Sequence, residues 1–479
     1  MELPADLPRL RKVHLIAIAG VGMAGLAGMF KQRGVTVTGS DEHVYPPMSD
    51  VLARLGIPVA EGFRPENVLD PDVVVIGNKV SRDNAEVQAV LSRGLPYLSF
   101  PAALSDYFLA GRRSLVVAGT HGKTTSTAML AWVLEHAGRD PSVMLGGESL
   151  DFGGTFKLGD GECFVVEGDE YDSAFFDKGP KFLHYRPSAV ILTAVEFDHA
   201  DIYADLAAVK EAFRRLLRLL PPGAPLIVAS DFPHAVEVAQ AAPVTATTFG
   251  AGQGATWRIG AVRDDGQTTR FDVRSDGRTE GTIALRQPGV INARNALGVY
   301  VLARELGLTH EEIASGLASF SGVRRRQELV GAFGGVVLID DFAHHPTAVA
   351  GTLAALRERY PARRLWALFE PRSNTSRRKV FQHDYVTALA AADRVVVAAV
   401  FKKETDPVAG ESLFSTAQLV TDLRAEGAMA TAGESTAAIA GEVSAQAAPG
   451  DVIVMMSNGD FGGLRARLVG ILSERFGTG

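Results

Sequence analysis

A single cysteine, Cys163, stands among the 479 residues, so no intrachain disulfide can form and a reducing compartment is expected. It lies in the apolar run Cys163-Phe164-Val165-Val166 and reads as a core thiol. The start, Met1-Glu2-Leu3-Pro4-Ala5-Asp6, lacks the basic residues, long apolar stretch and small-residue cleavage site of a secretory leader, which predicts that the mature chain begins there. Nowhere do apolar residues run for the roughly 18 positions that suggest a membrane span, so no membrane insertion is expected. Blocks of like charge are missing too, and the formal net charge of -7 argues against a nucleic-acid partner. These absences together predict a cytosolic (cytoplasmic) protein.

What is present is too much chain for one core, because single cores stop growing at about 250 to 300 residues. Three domains are expected, over residues 1–111, 112–322 and 323–479. Short β-branched runs alternate with amphipathic helical segments, which implies an α/β fold of parallel sheets faced by helices. In the first domain, a Rossmann-like unit, strands are expected at Val13 to Ala19, Val35 to Thr38, Val73 to Ile76 and Tyr97 to Ser99. The central, P-loop ATPase-like sheet takes Ser114 to Ala118, Cys163 to Val166, Ala189 to Val195 and Leu226 to Ser230. Strand-period alternation broken by Asp-Gly turns between residues 245 and 290 predicts an added antiparallel meander, with a helix at Ala293 to Leu306 after it. The third domain, again Rossmann-like, follows the basic run Arg324-Arg325-Arg326, with strands at Val336 to Ile339, Leu365 to Phe369, Arg394 to Ala398 and Val452 to Met456. The Ala-rich stretch 428–448 reads as surface helices.

The sharpest chemical signal is Gly119-Thr120-His121-Gly122-Lys123-Thr124-Thr125, set between a strand and an apolar helical stretch. Its glycines let backbone N–H groups turn inward, and the helix N-terminus adds a positive dipole end. Lys123 can then reach the β/γ-phosphates of a nucleotide while the Thr124 hydroxyl holds Mg2+. Val117 stands where the usual first glycine would be, so the match is to a shorter G-x-x-G-K-T-T form. Glu167 and His199 each follow another strand, and in a parallel sheet both would join Lys123 at the carboxyl edge, where open α/β sheets bind ligands. Mg2+ prefers oxygen, which makes Glu167 the natural ligand, whereas His199 reads equally as a site residue or an ordinary polar one. Glu167, Asp169, Glu170 and Asp172 would repel one another without a cation nearby, a solvated loop being the alternative.

Near the N-terminus, Gly20-Val21-Gly22-Met23-Ala24-Gly25 opens a helix, and Gly39-Ser40-Asp41 ends the next strand. This fingerprint suggests a diphosphate ligand, an NAD-type cofactor being one option and plain helix–strand packing another. Two more constellations follow strands, Asp340-Asp341-Phe342-Ala343-His344-His345-Pro346-Thr347 and Glu370-Pro371-Arg372-Ser373-Asn374-Thr375-Ser376-Arg377-Arg378. The switch-point rule makes both of them site candidates, although the second also reads as a solvated basic loop.

These stretches, with Phe175-Phe176-Asp177-Lys178, Glu196-Phe197-Asp198-His199-Ala200-Asp201 and Ser457-Asn458-Gly459, resemble the Mur ligases of bacterial cell-wall synthesis over almost the whole chain. The resemblance implies an ATP-dependent, magnesium-requiring ligase that joins a carboxylate to an amine through an acyl phosphate. It puts UDP-N-acetylmuramate near Gly20, Gly22, Met23, Ser40 and Asp41, and ATP between the second and third domains. ATP contacts would be Gly119, Thr120, His121, Gly122, Lys123, Thr124 and Thr125, with adenine and hinge contacts at Asn292, Asn295, Arg325 and Asp341. Thr124, Glu167 and His199 would hold Mg2+, and His344 or His345 would assist the attacking amine. The family's His-Asn pair is Ile291-Asn292 here, and no lysine is in register for the carbamylated lysine of some sister ligases, the nearest being Lys210.

Alanine-adding members of the family carry Pro-His-Arg-Phe-Thr-Arg where this chain has Pro371-Arg372-Ser373-Asn374-Thr375-Ser376, so both arginine positions are serines. The resemblance therefore implies the tripeptide L-alanyl-γ-D-glutamyl-meso-diaminopimelate as acceptor, held at Arg372, Ser373, Asn374 and Ser376, in cell-wall recycling. Free alanine is the alternative acceptor. From other classes, an NAD-dependent oxidoreductase leaves Lys123 and Glu167 idle, and a nucleotide-regulated binding protein leaves the other constellations unexplained.

Overall fold

Residues 10–45, 48–401 and 413–477 are described by the structure, a computed structural model, so the start Met1 to Asp6 lies outside the described residues. Three sheets organise them. Strands β1 (Lys12–Ile16), β2 (Thr36–Asp41), β3 (Val59–Glu61), β4 (Val73–Ile76) and β5 (Tyr97–Ser99) form a parallel sheet in the order β3-β2-β1-β4-β5. Its order reverses beside β1, and the glycine fingerprint leaves β1 at that switch point.

The second sheet has ten strands: β6 (Arg113–Ala118), β7 (Ser142–Ser149), β8 (Gly154–Lys157), β9 (Cys163–Gly168), β10 (Ala189–Leu192), β11 (Leu226–Ala229), β12 (Ala246–Gly250), β13 (Trp257–Asp264), β14 (Thr269–Ser275) and β15 (Arg278–Leu285). Their order is β15-β14-β13-β12-β11-β10-β6-β9-β7-β8, parallel from β13 to β7 and antiparallel at both ends. The antiparallel meander expected from the Asp-Gly turns is the β13-β14-β15 end. Leu115, Val116, Val117 and Ala118 of β6 are buried on both faces of the sheet, which is why the strand reads as one apolar run.

The third sheet contains β16 (Glu328–Phe333), β17 (Val336–Asp341), β18 (Arg364–Phe369), β19 (Arg394–Ala398), β20 (Met429–Gly433) and β21 (Asp451–Met456), in the order β16-β17-β21-β18-β19-β20. All neighbours are parallel except β16 and β17. The α/β class with parallel sheets and some antiparallel strands is as expected, and no described helix is long and apolar enough to cross a membrane.

Among the expectations about elements that change, three have a local physical cause. β1 ends at Ile16 rather than Ala19 because Ala17 adopts φ 64, which turns the chain into the glycine loop. β10 ends at Leu192 rather than Val195, and Thr193 instead uses its hydroxyl to donate to Ala118 O at 3.2 Å and to His121 O. The Ala-rich stretch is not all helix: Met429–Gly433 pairs with β19 as an edge strand before the helix Thr436–Gln446 begins. Sheet pairing there overrides the helix preference of alanine.

Candidate functional site

The carboxyl ends of the three sheets converge on one cavity of about 480 Å3. Its wall takes Gly20, Gly22, Met23 and Phe100 from the first unit, the loop Thr120 to Thr125 with Glu167 and His199 from the second, and Arg326, Asp341, His344 and His345 from the third. The phosphate loop leaves β6 and runs into the helix Lys123–His136, whose N-terminus therefore faces the cavity. Glycine is required at both turns of this loop. Gly119 has φ 137, and a Cβ there would lie 2.3 Å from Thr193 Oγ1 and 2.7 Å from Ala194 N; Gly122 has φ 78, and a Cβ would lie 2.6 Å from Asn295 Oδ1. The loop is thus a backbone cradle packed closely from behind.

Charged groups line the cradle in a chain of short contacts. Lys123 Nζ donates to Gly119 O at 2.6 Å and to Glu170 Oε1 at 2.8 Å. Burial opposes its charge, yet the Glu170 carboxylate outweighs burial and raises its pKa above the usual lysine value. Thr124 Oγ1 donates to Glu167 Oε1 at 2.8 Å, and Gly146 N donates to Glu167 Oε2 at 2.7 Å. His199 Nε2 reaches Glu170 Oε1 at 2.7 Å. Burial would lower the His199 pKa, but the Asp198 and Glu170 carboxylates outweigh it and hold the imidazole up at about 9. Glu167 and His199 therefore flank one space without touching, Glu170 standing behind His199 and Lys123.

On the far wall, Asp341 accepts from Gln327 N at 2.7 Å and Ala343 N at 2.6 Å, and burial pushes its carboxyl up to about 6. Asn292 and Asn295 lie on the helix Gly289–Glu305, where Asn292 donates to Pro288 O and to Gln327 Oε1, both at 2.8 Å. The loop 196–200 is gripped by the third unit from two sides. Thr375 Oγ1 donates to Asp198 Oδ1 at 2.6 Å and accepts from His199 N at 3.0 Å, while His345 Nε2 lies 3.2 Å from Phe197 O and Thr347 Oγ1 donates to Glu196 Oε1 at 3.2 Å.

Several sequence-predicted residues turn out to face elsewhere. Arg325 does not line the cavity: its guanidinium donates to Ser457 O at 2.6 Å and to Gly459 O, tying the linker to the end of β21. Arg326 takes the inward position, donating to Thr124 Oγ1 at 3.1 Å. The reason is local, since Arg325 and Gln327 adopt φ 58 and 51 and the chain reverses around Arg326. Ser40 is fully buried with its hydroxyl committed to Glu86, and Asp41 accepts from Ala19 N at 2.9 Å, so neither side chain lines the cavity. Arg372, Ser373, Asn374 and Ser376 also lie outside its wall. Ser373 and Ser376 are buried and their hydroxyls bond each other at 2.9 Å, whereas Arg372 lies over the Phe401 ring at 4.0 Å.

Glu170 and Arg326 were legible only as members of an acidic cluster and a basic run. Among the described residues, His121, Glu196 and His345 bring three ligand-type atoms within 4.8 Å of one another. His345 nevertheless uses both ring nitrogens, Nε2 toward Phe197 O and Nδ1 accepting from Thr347 N at 3.3 Å, so the group forms a hydrogen-bonded junction between the phosphate loop and the third unit.

Comparisons with known proteins bear on the same three units. Family profiles described as Mur ligase family catalytic domain, Mur ligase middle domain and Mur ligase glutamate ligase domain match residues 12–112, 117–303 and 325–459. The UDP-N-acetylmuramate--L-alanyl-gamma-D-glutamyl-meso-2,6-diaminoheptandioate ligase of Escherichia coli is 38% identical over 97% of this chain and 99% of its own length. The UDP-N-acetylmuramate--L-alanine ligase of Salinibacter ruber is 35% identical over 98% of this chain and 97% of its own. Among solved structures, a murein peptide ligase from Psychrobacter arcticus superposes with a TM-score of 0.71 at 32% identity, covering 96% of this chain and 98% of that one.

Proposed function

The chain belongs to the Mur ligase family of ATP-dependent, amide-bond-forming ligases that serve peptidoglycan, and from that premise we propose that it joins UDP-N-acetylmuramate to the tripeptide L-alanyl-γ-D-glutamyl-meso-diaminopimelate in cell-wall recycling. One observation carries the choice of acceptor. Ser373 and Ser376 occupy the positions where the alanine-adding members carry arginines, and both are buried and bonded to each other, so neither position offers a guanidinium to the carboxylate of a free amino acid. A tripeptide has no carboxylate at its first residue to need one.

In this reading the glycine loop around Gly20, Gly22 and Met23 receives the diphosphate of the UDP-sugar, and the Gly119 to Thr125 cradle receives the phosphates of ATP. The lactyl carboxylate attacks the γ-phosphorus of ATP, ADP leaves, and the resulting acyl phosphate is opened by the peptide's α-amine with loss of phosphate. Lys123 and Arg326 offset charge on the transferring group. Mg2+ fits the donor set, because Thr124 and Glu167 offer oxygens 2.8 Å apart in a wall that also holds His199. When bound there it would add charge neutralisation to the phosphate oxygens.

For the amine's proton, His344 is the better-placed of the two candidate histidines. Its Nδ1 donates to Phe342 O at 3.0 Å, leaving Nε2 with the lone pair, and burial lowers its pKa so that the ring is neutral near pH 7. His345 has neither nitrogen to spare.

The test is ADP release with UDP-N-acetylmuramate and either the tripeptide or L-alanine as acceptor. Faster ligation of the tripeptide is expected; faster ligation of alanine would assign the chain to the alanine-adding branch.

A further inference from the structure

Glu170 is 1% exposed and absent from the cavity wall, yet it touches two groups that the wall presents, Lys123 and His199. Its Oε1 accepts from Lys123 Nζ at 2.8 Å and from His199 Nε2 at 2.7 Å, and its backbone oxygen accepts from the Tyr203 hydroxyl at 2.7 Å. Its Oε2 is buried with no hydrogen-bond partner among the described residues. A carboxylate held this way dictates what its neighbours can offer. A neutral imidazole that gives its Nε2 proton to a carboxylate keeps its only lone pair at Nδ1, so His199, cationic while the site holds no metal, gives up its Nδ1 proton to solvent as a metal binds there, and an ammonium that has given protons to Gly119 O and Glu170 keeps one of three.

We infer that Glu170 is a positioning residue, which holds His199 with its proton on Nε2 so that Nδ1 is the atom offered to Mg2+. The inference rests on the Mg2+–ATP reading of the cavity and goes beyond it by assigning a role to a residue that touches neither. Electrostatics sets the direction of the effects. A fixed negative charge behind the site favours a bound cation and disfavours bound phosphate. Removing that charge should weaken the metal without weakening the nucleotide, whereas a packing role would weaken both.

Glu170→Gln keeps the shape and removes the charge. Mn2+ affinity of the enzyme–ADP complex, read from the EPR signal of free Mn2+, should fall by about 10- to 100-fold, the usual cost of losing a carboxylate behind a metal-binding histidine. ADP affinity in EDTA should stay the same or rise. Unchanged Mn2+ affinity, or a parallel loss of ADP affinity in EDTA, would overturn the inference. Should the variant not fold, the wild-type protein still decides: in 15N-histidine spectra, Mn2+ should broaden the Nδ1 resonance of His199, identified by its loss in His199→Asn, and broadening of Nε2 instead would refute the assignment. Failure of the underlying reading looks different, since wild-type enzyme would then bind neither Mn2+–ADP nor release ADP with UDP-N-acetylmuramate.

Discussion

Arg326 Nη2 donates to the Thr124 hydroxyl at 3.1 Å, joining residues 202 positions apart across the boundary between the second and third sheets. Arg326 is also stacked 4.4 Å over the Phe342 ring, and burial lowers its pKa without removing its charge near pH 7. The contact places a permanent cation from one unit beside the phosphate loop of another.

Arg326→Ala should therefore lower kcat/KM for ATP by about 10- to 150-fold, the equivalent of one charge-assisted hydrogen bond of roughly 1.5 to 3 kcal/mol. Arg325→Ala removes the ties to Ser457, Gly459 and Asp340, all outside the phosphate loop, so its effect should fall on the unfolding midpoint. Steady-state kinetics and chemical denaturation of both variants check this, and the reverse pattern would show that the inward arginine has been misidentified.

Lys123→Ala should abolish ADP release while leaving UDP-N-acetylmuramate affinity nearly intact, because the glycine loop at Gly20 and the cradle at Gly119 belong to different sheets. Calorimetric titration with the UDP-sugar decides it. A large loss of affinity would mean that the two ligands share their binding residues.

A pH dependence follows from His199. Its folded pKa, about 9, lies above the unfolded value near 6.5, so the folded state holds the extra proton between them. The resulting stability is fully present below pH 6.5 and is lost as pH rises through 9, up to about 3 kcal/mol in total. In EDTA, the stability difference between wild type and His199→Asn should shrink across that window. A difference that stays constant would place the Asp198 and Glu170 charges elsewhere than beside the ring.

The acceptor loop gives the last expectation. Arg372 is a partly exposed cation of this loop, at 29%, near Glu370 and Asp460, so Arg372→Ala should raise the tripeptide KM by about 10- to 150-fold and leave the KM for ATP unchanged. Ser376→Arg, which would restore the arginine of the alanine-adding pattern, should destabilise the protein instead of switching its acceptor. Its side chain is fully buried, and an unpaired guanidinium there is costly. Alanine ligation gained by a stably folded Ser376→Arg protein would refute this.

The chain's chemistry was written locally, and so was most of its class. The phosphate loop, the strands that precede Glu167 and His199, and the alternation of β-branched and helical segments depend on short-range spacing and on backbone preferences that neighbouring residues already set. Direction was not. Three consecutive arginines are equivalent as letters; only the positive φ at Arg325 and Gln327, imposed by packing against β17 and β21, turns Arg326 toward Thr124 and Arg325 away. Glu170 looked like one of four carboxylates until the fold brought Lys123, 47 residues before it, and His199, 29 after it, onto a single oxygen. Ser373 and Ser376 were expected to hold the acceptor and became a buried pair, because Thr375 between them docks on Asp198 of the second unit. Which side of the chain faces the cavity is a property of contacts between units far apart in sequence, and those contacts exist only once the three sheets are assembled.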